Sequence, residues 1–241
     1  MLQHTIISPQ IYYAYFCAIF GGELAYKAVI IGGSGLIGRK LINILLQWPG
    51  YDEVICLSRK KLSIVADKLT QVIVDFDHLE DYAGQIHGHA CFCCIGTTKS
   101  KTPDLAQYRK IDHDYPVKLA EIAKKNGMSQ YHFISSIGAD KASKGYYLRF
   151  KGETEEDIKA IGLPALHIYR PSILIGHRQE GRVAETILAG LMKVVNPLLV
   201  GSLKKYRSIS ANTVALAMFK QSLTNTPGIF TYESDEIEQL A

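Results

Sequence analysis

The sequence contains no internal repeat, no low-complexity tract and no internal linker. That excludes solenoids, propellers and fibrous arrays, and leaves a chain that reads as one domain. No segment reaches the roughly 20 apolar residues that span a bilayer, so no transmembrane segment is expected. Charge is nearly balanced: 27 Lys and Arg face 23 Asp and Glu, a net +4. Lys204, Lys205 and Arg207 form a small basic patch without interleaved aromatics or a nucleic-acid motif. It reads as a solvated face, and no nucleic-acid partner is expected. Cysteine is sparse and odd in number: Cys17, Cys56, Cys91, Cys93 and Cys94. An odd set, mostly on buried strands, argues for reduced thiols and a cytoplasmic protein. Neighbours on a strand point to opposite faces and no Cys/His set has zinc spacing, so no metal centre is expected.

The N-terminus has its own absences. Ile11 to Phe20 is strongly apolar, but no Lys or Arg precedes it and no small-residue cleavage pattern follows. It therefore does not read as a secretory signal. Three readings stand: a membrane-surface or dimer-contact segment, a helix packed on the domain, or a start codon placed too early. The folded domain is expected to begin near Tyr26, after an extension over residues 1–25.

What is present is an α/β pattern. The length suits one doubly wound domain with a real core. Apolar content of 47% and charged content of 21% describe a globular chain. Strand and helix signals alternate to about residue 175, which predicts a parallel sheet with helices on both faces.

The apolar run Ala28-Val29-Ile30-Ile31 leads into Gly32-Gly33-Ser34-Gly35-Leu36-Ile37-Gly38. A strand must turn sharply into a helix there. Gly32 supplies backbone freedom, Gly35 lets the backbone approach a pyrophosphate, and Gly38 removes a side chain where helix packs on strand. The first N–H groups of that helix, around Ser34, Leu36 and Ile37, are unsatisfied and favour an anion. The helix reads amphipathic from Leu36 to Gln47 and stops at Trp48-Pro49-Gly50. The glycine spacing, G-x-x-G-x-x-G, is that of short-chain dehydrogenase-type Rossmann domains.

After the second strand, Val54 to Leu57, a cofactor with a free ribose 2′-hydroxyl usually meets an Asp or Glu. This chain has Ser58-Arg59-Lys60-Lys61. Arg59 and Lys60 suit a 2′-phosphate, which predicts NADP (NADPH) over NAD.

Tyr147 and Lys151 are spaced i, i+4 and share one helix face. A nearby ammonium favours the phenolate, which fits Tyr147 for proton transfer near neutral pH. Tyr146 is the competing phenol, but its i+4 partner is Phe150. Upstream, Tyr131-His132-Phe133-Ile134 reads as a buried strand ending in Ser135-Ser136. A serine at that strand end opens onto the ligand crevice. Ser136 is the expected hydrogen-bond donor to the substrate oxygen, with Ser135 as the alternative.

The chain resembles the short-chain dehydrogenase/reductase superfamily in its atypical branch, and more narrowly the Tat-interacting-protein-like oxidoreductases. The residues that carry this are Val74 to Asp77, Cys93-Cys94-Ile95-Gly96-Thr97-Thr98, Ser135 to Lys141, Tyr147 to Glu153, and Tyr169-Arg170-Pro171. The likeness covers about residues 27 to 222. It implies that Asp75 or its neighbour Phe76 lies beside the adenine. Gly96, Thr97 and Thr98 would line the cofactor near its ribose, and Pro171 would lie by the nicotinamide. It also implies that residues 176–223, with a helix around Val183–Val195 and another from Ala211, form a substrate lid. Residues 224–241 would be a tail.

Two departures from the superfamily pattern stand out. The Asn that helps hold a proton-relay water in many members is replaced by Asp112. Only ten residues separate Ser136 from Tyr147, which leaves little room for a substrate loop. The expected activity is NADPH-dependent reduction of a carbonyl on a small organic substrate, in a monomer or homodimer. The competing expectation is an NADP(H)-binding redox sensor with little or no catalysis.

Overall fold

The structure is a computed structural model that describes residues 25–175, 192 and 195–241. The N-terminal extension and most of the expected Val183–Val195 helix lie outside the described residues.

Strand β1, Tyr26–Ile31, is buried over its last four residues. Its side chains alternate: Ala28 and Ile30 enter one apolar core, Val29 and Ile31 the other. Helix α1, Leu36–Gln47, follows and ends at Trp48, as the Trp-Pro-Gly signal predicts. The sheet continues with β2 (Tyr51–Ser58), β3 (Leu69–Ile73), β4 (Ala90–Cys93) and β5 (Gln130–Ile134). It is completed by β6 (Ala165–Arg170) and β9 (Gly228–Glu233). Its order is β3-β2-β1-β4-β5-β6-β9, and every pairing is parallel. Strands β4 and β5 are buried along their whole length, which explains why they read as continuous apolar runs. The order reverses between β1 and β4, and the carboxyl ends of those strands open the crevice that ligands use in such sheets.

One face is covered by α1 with α5 (Ala211–Ser222) and α6 (Ser234–Leu240). The other is covered by α3 (Tyr115–Lys125) and α4 (Tyr146–Ile161). Helix α3 continues from α2 (Leu105–Arg109) through a π turn at Lys110–Asp114. A small separate sheet joins β7 (Leu174–Ile175) to β8 (Ile209–Ser210).

Two expectations for the C-terminus need correction. Residues 224–241 are not a tail: β9 pairs in register with β6 from Ala165↔Gly228 to Arg170↔Glu233. A capping box between Glu233 and Glu236 then starts α6, which buries Ile237. The run Ile229-Phe230-Thr231-Tyr232, following Pro227, has the β-branched and aromatic content of a strand. Nor does the helix from Ala211 belong to a lid. It buries Val214, Ala215, Met218 and Phe219 in the same core as α1, and Trp48 meets Phe219 edge-on at 5.4 Å.

On that face, rings from four neighbouring strands stack in a row. Phe92 lies 4.7 Å from His132, His132 lies 4.6 Å from His167, and His167 lies 5.1 Å from Phe230. His132 is satisfied by Tyr169 and Gln130. His167 Nδ1 meets Tyr232 at 3.1 Å, but its buried Nε2 has no partner among the described residues. Burial drives both imidazoles toward the neutral form, and His167 is pushed down to about 4.

Candidate active site

The glycine turn is built as expected at Gly32 and differently at Gly38. Gly32 has φ +79°, the left-handed region that glycine adopts freely. A side chain there would run into the backbone of Cys94 and Ile95 as the chain leaves β4. Gly38 does not relieve helix-on-strand packing. Its missing Cβ would strike the carbonyl oxygen of Gly32, so this glycine lets α1 fold down onto its own turn. Gly35 is the N-cap of α1, with its amide bonded to the Gly32 carbonyl at 2.9 Å. A Cβ there would press on Gly32 O at 3.1 Å and lie 3.8 Å from Cys94 O, with no other atom within 4 Å outside its own helix and chain neighbours. No side chain caps α1 and its first turn carries no acidic residue. That combination fits an anion, and the cradle fits the pyrophosphate of a dinucleotide. Ser34 is exposed, whereas the Ile37 side chain is buried in the core, which leaves its backbone as what it can offer a ligand.

At the end of β2, the Ser58 hydroxyl donates to the Lys60 carbonyl and closes the turn. Arg59, Lys60 and Lys61 are exposed, and their side chains have no ionic partner among the described residues. Beyond β3, Asp75 is exposed and its carboxylate caps a short 3-10 segment by accepting from Asp77 N at 3.0 Å. Phe76 points the other way. Its ring is buried 5.4 Å from Tyr115, so only its backbone can face an adenine.

The Asp112 carboxylate organises the centre of the crevice. The π turn carries it inward to 1% exposure. Oδ2 accepts from Thr97 N at 2.9 Å, and Oδ1 pairs with Lys151 Nζ at 3.0 Å. Its carbonyl accepts the Thr154 hydroxyl at 2.9 Å. Lys151, 3% exposed, also donates to the Ile134 carbonyl at 3.2 Å and lies over the Phe133 ring. Burial works against the Lys151 charge, but the Asp112 carboxylate and the Tyr147 phenol outweigh it and raise its pKa. Gly96 is exposed beside this pair: a Cβ there would lie 3.6 Å from Asp112 Oδ1 and 3.9 Å from Lys151 Nζ. Thr97 and Thr98 are half-buried, and Tyr108 donates to the Thr97 carbonyl at 3.1 Å.

Tyr147 is one turn from Lys151 on α4 and remains 38% exposed. Its hydroxyl has no hydrogen-bond partner among the described residues. Tyr146 is engaged elsewhere, edge-on to Tyr108 at 5.4 Å with the Lys99 ammonium over its ring. Its i+4 neighbour Phe150 is buried and apolar, whereas that of Tyr147 is the Lys151 ammonium.

The two serines separate cleanly. The Ser135 hydroxyl is bound to Glu155, a carboxylate 1% exposed that also holds Arg170 through two hydrogen bonds. Ser136 is half-buried, and its hydroxyl makes only a 3.4 Å contact with the Ile137 carbonyl. The Pro171 carbonyl accepts from Ile137 N, which ties the exits of β5 and β6 together. Sequence reasoning missed Glu155, Arg170 and Gly152. The last lets the Asp140–Lys141 backbone lie directly on α4. A glutamate on the inward face of α4 needs a buried cation, and that was the available signal. A cavity of about 320 Å³, lined by Asp140, Lys141, Glu155, Glu156 and Arg170 among others, contains none of the expected site residues.

Among the described residues, no cluster of three or more His, Cys, Asp or Glu could hold a metal ion, and no helix is long and apolar enough to cross a membrane. The described cysteines are free thiols.

A uncapped glycine turn, a buried Lys–Asp pair and an exposed Tyr on one crevice of a parallel sheet define a nucleotide-binding Rossmann protein. Residues 32–221 match the NAD(P)H-binding family, and the chain belongs to it. It is 36% identical over 160 residues to Protein HTATIP2 of Rattus norvegicus, covering 65% of this chain and 66% of that one. It is 32% identical over 211 residues to Protein fmp52, mitochondrial, of Aspergillus fumigatus, covering 84% and 89%. These relatives bear out the resemblance to atypical short-chain dehydrogenases of the Tat-interacting-protein type. Among solved structures, the Bordetella bronchiseptica enzyme WbmH in complex with NAD+ superposes with a TM-score of 0.67. That match has 15% identity and covers 89% of this chain and 79% of that one. A UDP-N-acetylglucosamine 4-epimerase from Methanobrevibacter ruminantium M1 gives 0.65 at 14% identity, covering 87% and 76%. These two likenesses establish the fold.

Proposed function

We propose that the protein is an NADPH-dependent reductase acting on a carbonyl of a small organic substrate. The observation that carries this is the exposed Tyr147 phenol one helical turn from a buried, ion-paired Lys151 ammonium. The residues fit the cofactor. Gly32, Ser34, Gly35, Leu36, Ile37 and Gly38 would hold the pyrophosphate, and Arg59 and Lys60 the 2′-phosphate. Asp75 and the Phe76 backbone would meet the adenine, with Gly96, Thr97, Thr98 and Pro171 along the ribose and nicotinamide. When bound, NADPH supplies the hydride. Tyr147 donates its phenolic proton to the carbonyl oxygen, and Ser136 hydrogen-bonds that oxygen and orients it. Lys151 keeps a positive charge beside the phenol throughout.

The competing reading, a redox sensor that binds NADP(H) without turnover, draws its support from Asp112, which takes the place of the relay Asn. The reductase reading is preferred because a sensor has no need of an exposed phenol beside a buried ammonium. Free thiols fit a reducing compartment such as the cytoplasm, while the fungal relatives carry "mitochondrial" in their names. Purified protein is mixed with NADPH and a panel of aldehydes, ketones and quinones, and absorbance loss at the nicotinamide band is followed. Oxidation with at least one carbonyl supports the reductase. Binding without oxidation of any supports the sensor.

A further inference from the structure

We propose that Asp112 is a positioning residue that fixes Lys151 as a permanent ammonium and ties it to the Gly96–Thr97 turn, so that Lys151 is not a link in a proton relay. The inference rests on the cofactor-binding reading above and concerns how that site is held.

The geometry leaves a relay water little to hold. Both carboxylate oxygens of Asp112 are engaged, one by Lys151 and one by the Thr97 amide. The carbonyl of the same residue is met by the Thr154 hydroxyl, which also donates to the Phe150 carbonyl. Asp112, Lys151 and Thr154 are all buried. Two of the three donors of the ammonium are taken, one by Asp112 and one by the Ile134 carbonyl, and the third is left for a ligand.

The groups facing Lys151 agree. From the π turn comes Asp112, from its own helix Tyr147, and from β4 Cys93. Burial pushes the Cys93 thiol up to about 11, so it stays neutral. From β5 come the Phe133 ring and the Ile134 carbonyl. Tyr131 faces Cys93 and is held in the phenol form by burial, with its hydroxyl on the Pro116 carbonyl. Tyr108, which faces Asp112, is held in the phenol form by burial and by that carboxylate. Asp112 is thus the only anion among these groups at neutral pH. Without it, a buried ammonium has no counter-charge and loses its proton readily.

The test compares wild type, Asp112→Asn and Asp112→Asn/Lys151→Met from about pH 7 to 9.5, reading NADPH affinity by nicotinamide fluorescence and thermal unfolding. In the wild type both should be nearly flat, because Lys151 stays charged. In Asp112→Asn, Lys151 has a folded pKa below its unfolded one, so the unfolded chain binds more protons in this window. Its melting temperature should therefore rise with pH relative to wild type. NADPH affinity should fall over the same range, by about fivefold or more, as the ammonium is lost. The double variant should show neither trend.

Asp112→Asn tracking the wild type in both readouts would overturn the proposal. So would a wild-type affinity that itself falls between about pH 7 and 9. A single variant that folds at neither end of the range, or a double variant that does not fold, assigns Asp112 a purely structural role and also overturns it. If wild type binds no NADPH, the cofactor reading fails, and the melting trend of Asp112→Asn, set against the flat double variant, still decides the role of Asp112.

Discussion

Arg170 grips Glu155 through Nε at 2.9 Å and Nη2 at 2.6 Å, and the same carboxylate holds the Ser135 hydroxyl. One buried anion therefore joins α4, the exit of β5 and the end of β6. Glu155→Ala strands the guanidinium and the hydroxyl together. Arg170 keeps part of its side chain in solvent, so the expected loss is about 1–3 kcal/mol of stability, the range for leaving hydrogen-bonding partners unpaired. Urea unfolding measures it, and a loss below about 1 kcal/mol would show that the cluster does not hold this corner.

NADPH should bind more tightly than NADH, since Arg59 and Lys60 stand where an acidic ribose ligand would be. Arg59→Ala should remove most of the preference, about 1.5–3 kcal/mol for a charged hydrogen-bonded contact. Parallel titrations of both cofactors read this out. Equal affinities in the wild type would refute the NADP assignment.

The two glycines of the turn should fail in different ways. Gly35→Val should abolish cofactor binding while circular dichroism stays native, because the branched group stands at the helix end where the pyrophosphate would lie, at the cost of a tight 3.1 Å contact with the Gly32 carbonyl. Gly38→Ala should lower the melting temperature, because its methyl meets the Gly32 carbonyl inside the protein. A Gly35→Val protein that binds NADPH normally would reduce the turn to structural punctuation.

Tyr147→Phe should leave NADPH affinity nearly unchanged and lower turnover of any accepted carbonyl by about 10²–10⁴. Lys151→Met should harm both binding and rate. Turnover of Tyr147→Phe at the wild-type rate would show that the proton comes from another group.

Acid should weaken the fold through its buried imidazoles. The His167 pKa is lowered to about 4 from an ordinary value of 6.5. Below pH 6.5 the unfolded chain takes up a proton that the folded chain refuses. Stability is thus complete above pH 6.5 and declines as pH falls toward 4, by about 3 kcal/mol for this one residue. Thermal unfolding from pH 7.5 to 4.5 follows the decline. His167→Phe, which keeps the ring stack, should flatten it, and a variant as acid-sensitive as wild type would assign the decline to other groups.

The legible parts of this protein were those written in local patterns. Gly32 to Gly38 follows a buried apolar run, and its helix ends where Trp48-Pro49-Gly50 says it must. Tyr147 and Lys151 sit four apart on a helix, which spacing alone predicts. Less legible was everything set by contacts distant in sequence. The role of Gly38 depends on the carbonyl of Gly32 and not on a strand. Nothing local says that Ser135 is taken by Glu155, twenty residues on, which leaves Ser136 open. Asp112 read only as a departure from the relay Asn, and its pairing with Lys151 at 3.0 Å shows only when the π turn carries it inward. Strand β9 was missed because the glycine-turn pattern and the family likeness both end before it.

Strand β9 is also synthesised after every other strand of the sheet it completes. Domains begin to fold from the N-terminus during translation. The β1 to β6 part of the sheet can therefore assemble while β6 still has a bare edge, and an unpaired edge is a template for foreign strands. The ring row stays incomplete until Phe230 arrives, and His167 Nδ1 lacks its partner until Tyr232 arrives. Deleting β9 would leave the crevice between β1 and β4 on a sheet with an open, aggregation-prone side.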